Sequence, residues 1–193
     1  MSRGELNALI KSDFYRHYAG HKPQLLWKKR NVALYCTVVY RKAHYYSVAK
    51  GLLNNLLAMY FRYKLNYLSR KYLFQIPYPV TIGKGFNLVH FGRVIVAPNV
   101  RIGSNCNMFT GVTIGSTVRG PKAGVPEIGD NVWIGPNVAI VGGVKIADNV
   151  LIAANSYVNF DVPENSIVIG NPGHIYPSAH ATDGYICQQY LEK

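Results

Sequence analysis

The stretch IGDNVWIGPNVAIVGGVKIADNVLI, from Ile128 to Ile152, places an aliphatic residue at every sixth position. A valine lies four residues after each of the first four of these aliphatic residues. A helix repeats its apolar face every 3.6 residues and a strand every 2.0, so neither produces a sustained period of six. This period instead predicts short strands joined by tight turns, with one inward aliphatic side chain per strand. Three such strands close a triangular coil of about 18 residues.

The same period extends over most of the second half of the chain. Its other aliphatic positions are Ile82, Leu88, Val96, Ile102, Met108, Ile114 and Val158. Glycine and asparagine between them, as in IGSNCN and IGPNVA, suit corners that need a positive φ. We therefore predict a mainly β fold, with a parallel β-helix over residues 76–170 and a C-terminal tail over residues 171–193.

The repeat is irregular next to one histidine. The step from Leu88 to Val96 takes eight residues instead of six, and His90 lies within it. Counted from Leu88, His90 is the third residue of its repeat, a position that faces outward. We expect an exposed imidazole there.

A second irregularity lies between Ile114 and Ile128, which are 14 residues apart. The eight extra residues predict an exposed loop, residues 116–127, and long loops on rigid scaffolds often carry function. Arg119 and Lys122 in this loop are candidates for binding an anionic group of a substrate. Solvated loop cations with no ligand are the alternative.

Residues 1–75 differ from the rest in both period and charge. Apolar residues recur at helical spacing, which predicts a helical domain of two or three helices with a turn near Pro23. This part holds 14 Lys and Arg against Glu5 and Asp13, and 10 of the 15 tyrosines. The remainder of the chain has 7 basic and 7 acidic residues, so all of the +12 charge lies in the helical part.

Interleaved tyrosine and lysine suit a membrane interface or an acidic partner. A helical domain with packed tyrosines and solvated lysines is the second interpretation. No nucleic-acid-binding motif accompanies the charge, so we expect no nucleic acid partner. The N-terminus lacks the apolar core of a signal peptide, and three cysteines without CxxC spacing fit a reducing compartment. We expect a cytoplasmic protein, with peripheral attachment to the inner face of the cell membrane as an option.

Three motifs carry a family resemblance: VTIG (112–115), IGDNVWIGPNVAIVGGVKI (128–146) and VIGNPGHI (168–175). In these, residues 76–175 resemble the left-handed β-helix of hexapeptide-repeat acyltransferases, and among them the serine acetyltransferase group. The resemblance implies a homotrimer, enlarged further if the N-terminal helices also associate. It also implies acetyl-CoA as acetyl donor and no metal. The competing enzyme on this fold, a metal-dependent carbonic anhydrase, needs three histidine ligands from the repeats, and the repeats do not supply them.

The resemblance assigns roles to individual residues. His90 matches the catalytic general base, which takes the proton of an acceptor hydroxyl. Gln75 stands where the family has the aspartate that orients this histidine, and its amide can still fix the tautomer. The positions expected to bind CoA are Gly115, Gly135, Ala153, Gly173 and His174.

Departures from the family pattern concern the acceptor. Val89 replaces an aspartate before the histidine, and Gly124 and Val125 replace the Arg-His pair of the loop. Because these family groups hold the charged ends of serine, the sequence predicts a neutral acceptor, a sugar hydroxyl of a surface polysaccharide or its precursor. A serine O-acetyltransferase of cysteine biosynthesis, a long-chain acyltransferase and a non-catalytic trimeric scaffold are the alternatives.

Overall fold

A computed structural model describes residues 2–19, 21 and 30–190. Within these residues three helices come first, α1 (Arg3–Tyr18), α2 (Val32–Val48) and α3 (Leu52–Tyr72). Short strands follow: β1 (Phe74–Gln75), β2 (Thr81–Ile82), β3 (Asn87–Leu88), β4 (Val94–Val96), β5 (Arg101–Ile102), β6 (Asn107–Met108), β7 (Thr113–Gly115), β8 (Glu127–Ile128), β9 (Val132–Ile134), β10 (Ala139–Val141), β11 (Lys145–Ile146), β12 (Val150–Ile152), β13 (Tyr157–Val158), β14 (Ser166–Ile169) and β15 (His174–Pro177). The predicted turn near Pro23 lies outside the described residues.

The strands form the three walls of a parallel β-helix of about five turns. The first wall is β1-β4-β7-β10-β13, the second is β2-β5-β8-β11, and the third is β3-β6-β9-β12-β14. Strand β15 closes the third wall in antiparallel pairing with β14. The predicted fold class, mainly β with an N-terminal helical region, is confirmed.

The six-residue repeat determines the register of the coils. Ile128 pairs with Ile146, and Ile134 pairs with Ile152, so equivalent residues of successive coils stack directly. These side chains are at most 4% exposed. Full burial of one such side chain contributes about 1.5–3 kcal/mol, which makes the inward stack the main source of the β-helix's stability.

Both irregular steps leave the ladder of strands intact. Leu88 pairs with Met108 across the His90 step, and Met108 pairs with Ile134 across the loop. The extra residues therefore project from the coil. Sequence reasoning missed a third irregularity: the last coil is two residues short, because Ile152 pairs with Val168 only 16 residues later.

Asparagine occupies corners of the coil. Positive φ values occur at Asn99, Asn105, Asn131, Asn137, Asn149, Asn155 and Asn165. A short polar side chain tolerates this left-handed conformation better than most residues do. The predicted role of asparagine at the turns is confirmed.

The helices pack on the first coil through buried polar contacts. Arg41 on α2 donates to both carboxylate oxygens of Asp13 on α1, at 2.9 and 3.0 Å, and to the Gly83 carbonyl at 2.6 Å. Asp13 also accepts a bond of 2.9 Å from the Phe86 amide. Apolar residues of α2 and α3 join the same buried cluster as the strands, so helices and coils share one core.

After β15 the chain turns back along the coils, and we call residues 178–190 the C-terminal strap. Asn149 donates to the carbonyl of Ala179 at 2.9 Å, and Arg16 of α1 donates to the carbonyl of Cys187 at 2.6 Å. Ile186 is buried between these two anchors. The strap thereby ties the last coils to the first helix.

None of the helices described in residues 2–19 and 30–190 combines the length and the apolarity that crossing a membrane requires.

Candidate active site

His90 lies just after β3, at the corner between the third and first walls, and its side chain is exposed. The imidazole meets the edge of the Phe109 ring, with 6.0 Å between centroids and 67° between planes. Within the described chain neither ring nitrogen has a hydrogen-bond partner. The imidazole is therefore held by packing, and both nitrogens are available to a substrate.

An aromatic row continues upward from His90. The Phe109 and Trp133 rings lie 4.9 Å apart, and Trp133 contacts Tyr185 of the C-terminal strap at 5.2 Å. Sequence reasoning did not link Trp133 to His90. The strand register pairs Trp133 with Asn107 and puts Phe109 level with Gly135, so the register alone does not predict this contact; the rings meet because the Trp133 ring lies over Gly135.

Gln75 lies on β1, where it pairs with Ile95 of β4, and its side chain is exposed. It lines a cavity of about 670 Å³ between α3 and the first coils. In the part of the chain that the structure describes, its amide forms no hydrogen bond, to His90 or to any other group. The orienting role of Gln75 stays a prediction.

Three arginines share this cavity with Gln75, and we call it the arginine cavity. Arg62 and Arg70 reach it from α3, and Arg93 from the segment that follows His90. The sequence has no Asp or Glu between Asp13 and Glu127, so neither α3 nor the first coils offer a carboxylate to balance these cations. Sequence reasoning missed the cavity, although Arg93 lies within the irregular step.

The loop over residues 116–127 is anchored at its base. Thr117 and Gly124 form an antiparallel bridge, and the Lys122 carbonyl accepts from the Gly143 amide at 2.8 Å. The ammonium of Lys122 lies 2.5 Å from the Asp161 carboxylate. Hydrogen bonds from Lys122 and from the backbone of Lys145 lower the pKa of Asp161.

The two loop cations therefore differ. Lys122 is already paired, whereas Arg119 is exposed near the tip, with no partner among the described residues. Of the two predicted substrate-binding residues, Arg119 is the one whose charge is unpaired. Their substrate-binding role stays a prediction.

The five predicted CoA positions fall on two walls. Gly135 and Ala153 follow paired strands of the third wall and lie one coil apart, and Gly173 and His174 lie at β15 on the same wall. Gly115 ends β7 on the first wall. A side chain at Gly135 would lie 2.8 Å from the Ala154 amide nitrogen, so glycine there permits close stacking of the coils. Their role in binding CoA stays a prediction.

The thiols near the core do not suit nucleophilic chemistry. Burial raises the pKa of Cys36 and of Cys106 to about 12, which keeps both protonated at neutral pH. Among the described residues, no three His, Cys, Asp or Glu side chains converge as metal ligands. The most accessible proton acceptor at the irregular step is His90.

Known proteins match this chain in sequence and in structure. Residues 126–159 match the family model described as Bacterial transferase hexapeptide (six repeats). Relatives named serine acetyltransferase, from Staphylococcus aureus strain Mu50 and from Staphylococcus epidermidis strain ATCC 12228, are each 42% identical over 94 residues. The match covers 49% of this chain and 44% of each relative, so it spans less than half the length of these curated proteins.

Solved structures agree over nearly the whole chain. A serine acetyltransferase in complex with cysteine has a TM-score of 0.76 at 23% identity, with 98% of this chain and 73% of that one covered. A serine acetyltransferase in complex with CoA has a TM-score of 0.68 at 26% identity, with 89% and 68% covered. These matches support the hexapeptide-repeat acyltransferase superfamily as the group to which the chain is related. Within it, the chain is serine acetyltransferase-like.

This serine acetyltransferase-like character corrects one prediction. The residues at positions 89, 124 and 125 led us to predict a sugar hydroxyl as acceptor. The relatives at 42% identity are named for serine, and the solved structures described above are serine acetyltransferases as well. The prediction of a sugar acceptor is therefore wrong. The inference failed because it gave three substituted positions more weight than the similarity of the β-helix as a whole, which is 42% identical to these relatives over 94 residues.

Proposed function

We propose that the protein is an acetyl-CoA-dependent O-acetyltransferase that acts on the hydroxyl of serine. The observation that carries this proposal is the 42% identity to serine acetyltransferases over 94 residues. The likeness to a CoA-bound serine acetyltransferase at 26% identity supports CoA as the carrier of the acetyl group.

His90 is the proposed general base. The serine hydroxyl oxygen attacks the thioester carbonyl carbon while His90 takes the hydroxyl proton; the carbon–sulfur bond then breaks. The imidazolium returns the proton to the departing thiolate, so free CoA and O-acetylserine are formed. Imidazole suits this exchange because it gains and loses a proton near neutral pH. Exposure of the ring and its lack of an internal partner leave it open to the substrate.

The proposed site requires a neighbouring subunit. The chain has no carboxylate between Asp13 and Glu127 to stabilise an imidazolium or to bind the serine ammonium. The predicted CoA positions lie on two different walls, which one subunit cannot turn toward one ligand. A homotrimer of the kind the resemblance implies supplies the second wall. In this arrangement the coils, residues 76–170, carry most of the chemistry; residues 1–75 contribute Gln75, and residues 171–193 contribute Gly173 and His174.

Thiol release from acetyl-CoA in the presence of L-serine tests the proposal. We expect serine-dependent release from the wild type and a loss of roughly 10²–10⁴-fold in His90→Ala, the range typical of removing a general base. His180→Ala is the matched control, because His180 is also exposed but pairs with Asp183 on the C-terminal strap. This control should retain wild-type turnover.

Mass spectrometry of the product separates the possible failures. O-acetylserine must appear in step with free CoA. Release of thiol without O-acetylserine would contradict the proposed acceptor, and equal rates in His90→Ala and wild type would contradict the proposed base.

A further inference from the structure

One face of α3 exposes an unusual amount of apolar surface. We call it the outer stripe; its members are Leu52, Leu53, Leu56, Met59, Tyr60, Tyr63 and Tyr67. Each is 52–79% exposed, whereas Ala58, Leu65 and Leu68 on the opposite face are buried in the core. Contiguous apolar patches of this kind mark interaction sites rather than ordinary surface.

The outer stripe is bordered by cations that pack on its tyrosines. The Lys64 ammonium lies 5.4 Å from the Tyr60 ring centroid, and the Lys71 ammonium lies 5.8 Å from that of Tyr67. A hydrogen bond to Tyr35 raises the pKa of Lys64, so its charge is retained. The aliphatic parts of these lysines lie on tyrosine rings, and their ammonium groups lie at the edge of the stripe. Lysine and tyrosine side chains adopt this arrangement at a lipid–water interface.

The arginine cavity adjoins the outer stripe on the same helix. Arg62 is held in place there, since its Nε donates to Ser47 at 2.9 Å and its guanidinium lies 4.1 Å from the Tyr78 ring centroid. Arg70 and Arg93 complete the cationic part, and the apolar lining includes Leu65 and Ile76. A cavity with this lining fits an anion attached to an apolar body.

Charge decides which partner covers the surface. A second copy of this face would bring cations against cations, with no carboxylate between Asp13 and Glu127 to balance them. An anionic phospholipid bilayer satisfies both parts, because its acyl region accepts the stripe and its phosphates accept the arginines. We propose that α3 docks on anionic membrane, with the outer stripe in the interface and a lipid phosphate in the arginine cavity. The docking does not depend on the proposed serine chemistry, although Gln75 lines the same cavity.

Co-sedimentation with vesicles tests the docking. The full chain is mixed with phosphatidylcholine vesicles, with and without phosphatidylglycerol, at low and at raised salt. We expect binding only to the phosphatidylglycerol vesicles, and weaker binding as salt increases. Arg70→Ala and Arg93→Ala should each weaken it about fivefold. Arg101→Ala is the matched control on the second wall and should bind like the wild type.

The apolar part is tested separately. Leu53→Glu combined with Met59→Glu should abolish vesicle binding, while Val118→Glu, at an even more exposed apolar position on the loop, should not. All of these positions are at the surface, and thermal unfolding verifies that the variants fold. The proposal is supported if binding requires phosphatidylglycerol and if both the arginine variants and the apolar variants weaken it.

Three results would overturn it: no sedimentation at low salt, equal binding to both vesicle types, or light scattering in which Leu53→Glu with Met59→Glu reduces the size of the assembly. The last result would assign the stripe to a second copy. Serine turnover measured without vesicles reports on the proposed function alone, so failure of one proposal is distinguishable from failure of the other.

Discussion

At the scale of single residues, the packing of the N-terminal helices on the first coil depends on the buried ion pair between Asp13 and Arg41. Both side chains are at most 3% exposed. Asp13→Ala would leave the Arg41 guanidinium buried without its carboxylate, and loss of one partner of such a pair costs about 3–5 kcal/mol. We therefore expect a clear drop in the free energy of unfolding, measured by urea titration followed by circular dichroism.

A surface pair provides the control for that measurement. Asp161 bonds to Lys122 at 2.5 Å, but these side chains are 58% and 42% exposed. Asp161→Ala should change stability by no more than about 1 kcal/mol. Equal losses in the two variants would contradict the importance assigned to burial.

His17 on α1 gives a prediction about pH. Burial lowers the pKa of His17 to about 4, with a further contribution from Arg16, against an ordinary value of 6.5 in the unfolded chain. As pH falls below about 6.5 the unfolded chain takes up a proton that the folded chain refuses until about pH 4. The stability present above this window is therefore lost within it, by up to about 1.4 kcal/mol per pH unit.

Urea titrations at about pH 7 and about pH 4.5 measure this effect. His17→Gln should flatten the pH dependence, because glutamine does not titrate. His180→Gln, at a position 82% exposed, should leave it unchanged. An identical slope for wild type and His17→Gln would show that other groups carry the acid sensitivity.

At the residue scale, prediction succeeded where position in the repeat determines direction. Counting from Leu88 predicted an exposed His90, and the structure has it exposed. The same count could not pair Asp13 with Arg41, or link Arg93 to Arg62 on α3, because such contacts depend on how the helices dock. Helical periodicity specifies which face of a helix is apolar but not which surface that face packs against.

At the scale of elements, close stacking of the coils makes a prediction about glycine. A side chain at Gly103 would come within 2.5 Å of the Gly129 carbonyl oxygen, whereas one at Gly115 would find its nearest neighbour, Val141, at 3.9 Å. Gly103→Ala should force two coils apart and cost about 1–3 kcal/mol, the range for overpacking. Gly115→Ala should leave the melting temperature close to that of the wild type.

Differential scanning calorimetry of both variants decides the matter. A similar melting temperature for Gly103→Ala and wild type would mean that the coils adjust at little cost.

Elements differ in how well sequence predicts them. The coils were predictable because each strand shows the same signal, one inward aliphatic side chain. The shortened last coil was not, since Val162 can be counted as the second apolar residue of a regular repeat. The C-terminal strap was also hidden: Asn149 and Arg16 hold it by backbone carbonyls, which every residue type provides.

For the whole molecule, charge and chemistry divide between the two ends of the chain. The basic excess resides in residues 1–75; four of its 14 basic residues lie on α3, and two of these, Arg62 and Arg70, line the arginine cavity together with Arg93. The coils are nearly neutral and carry His90 and the loop. A basic surface beside a neutral catalytic scaffold fits an enzyme that is held in place by one part and works with the other.

The proposed trimer makes a prediction that concerns the whole assembly. If His90 of one subunit works with the loop of its neighbour, two inactive variants should restore activity when mixed in one trimer. The first variant is His90→Ala. In the second, Asn-Gly replaces residues 118–123, which closes the Thr117–Gly124 bridge with a two-residue hairpin turn.

Each variant alone should lack serine-dependent thiol release. After unfolding, equal mixing and refolding, each interface receives an intact His90 with a probability of one half and an intact loop with the same probability. In a ring of heterologous contacts about a quarter of the sites are then complete, so about a quarter of wild-type activity should return. Refolding of each variant by itself is the control. If mixing restores nothing while size-exclusion chromatography shows mixed trimers, then His90 and the loop of the same subunit form the site, and the predicted CoA positions on different walls cannot serve one ligand.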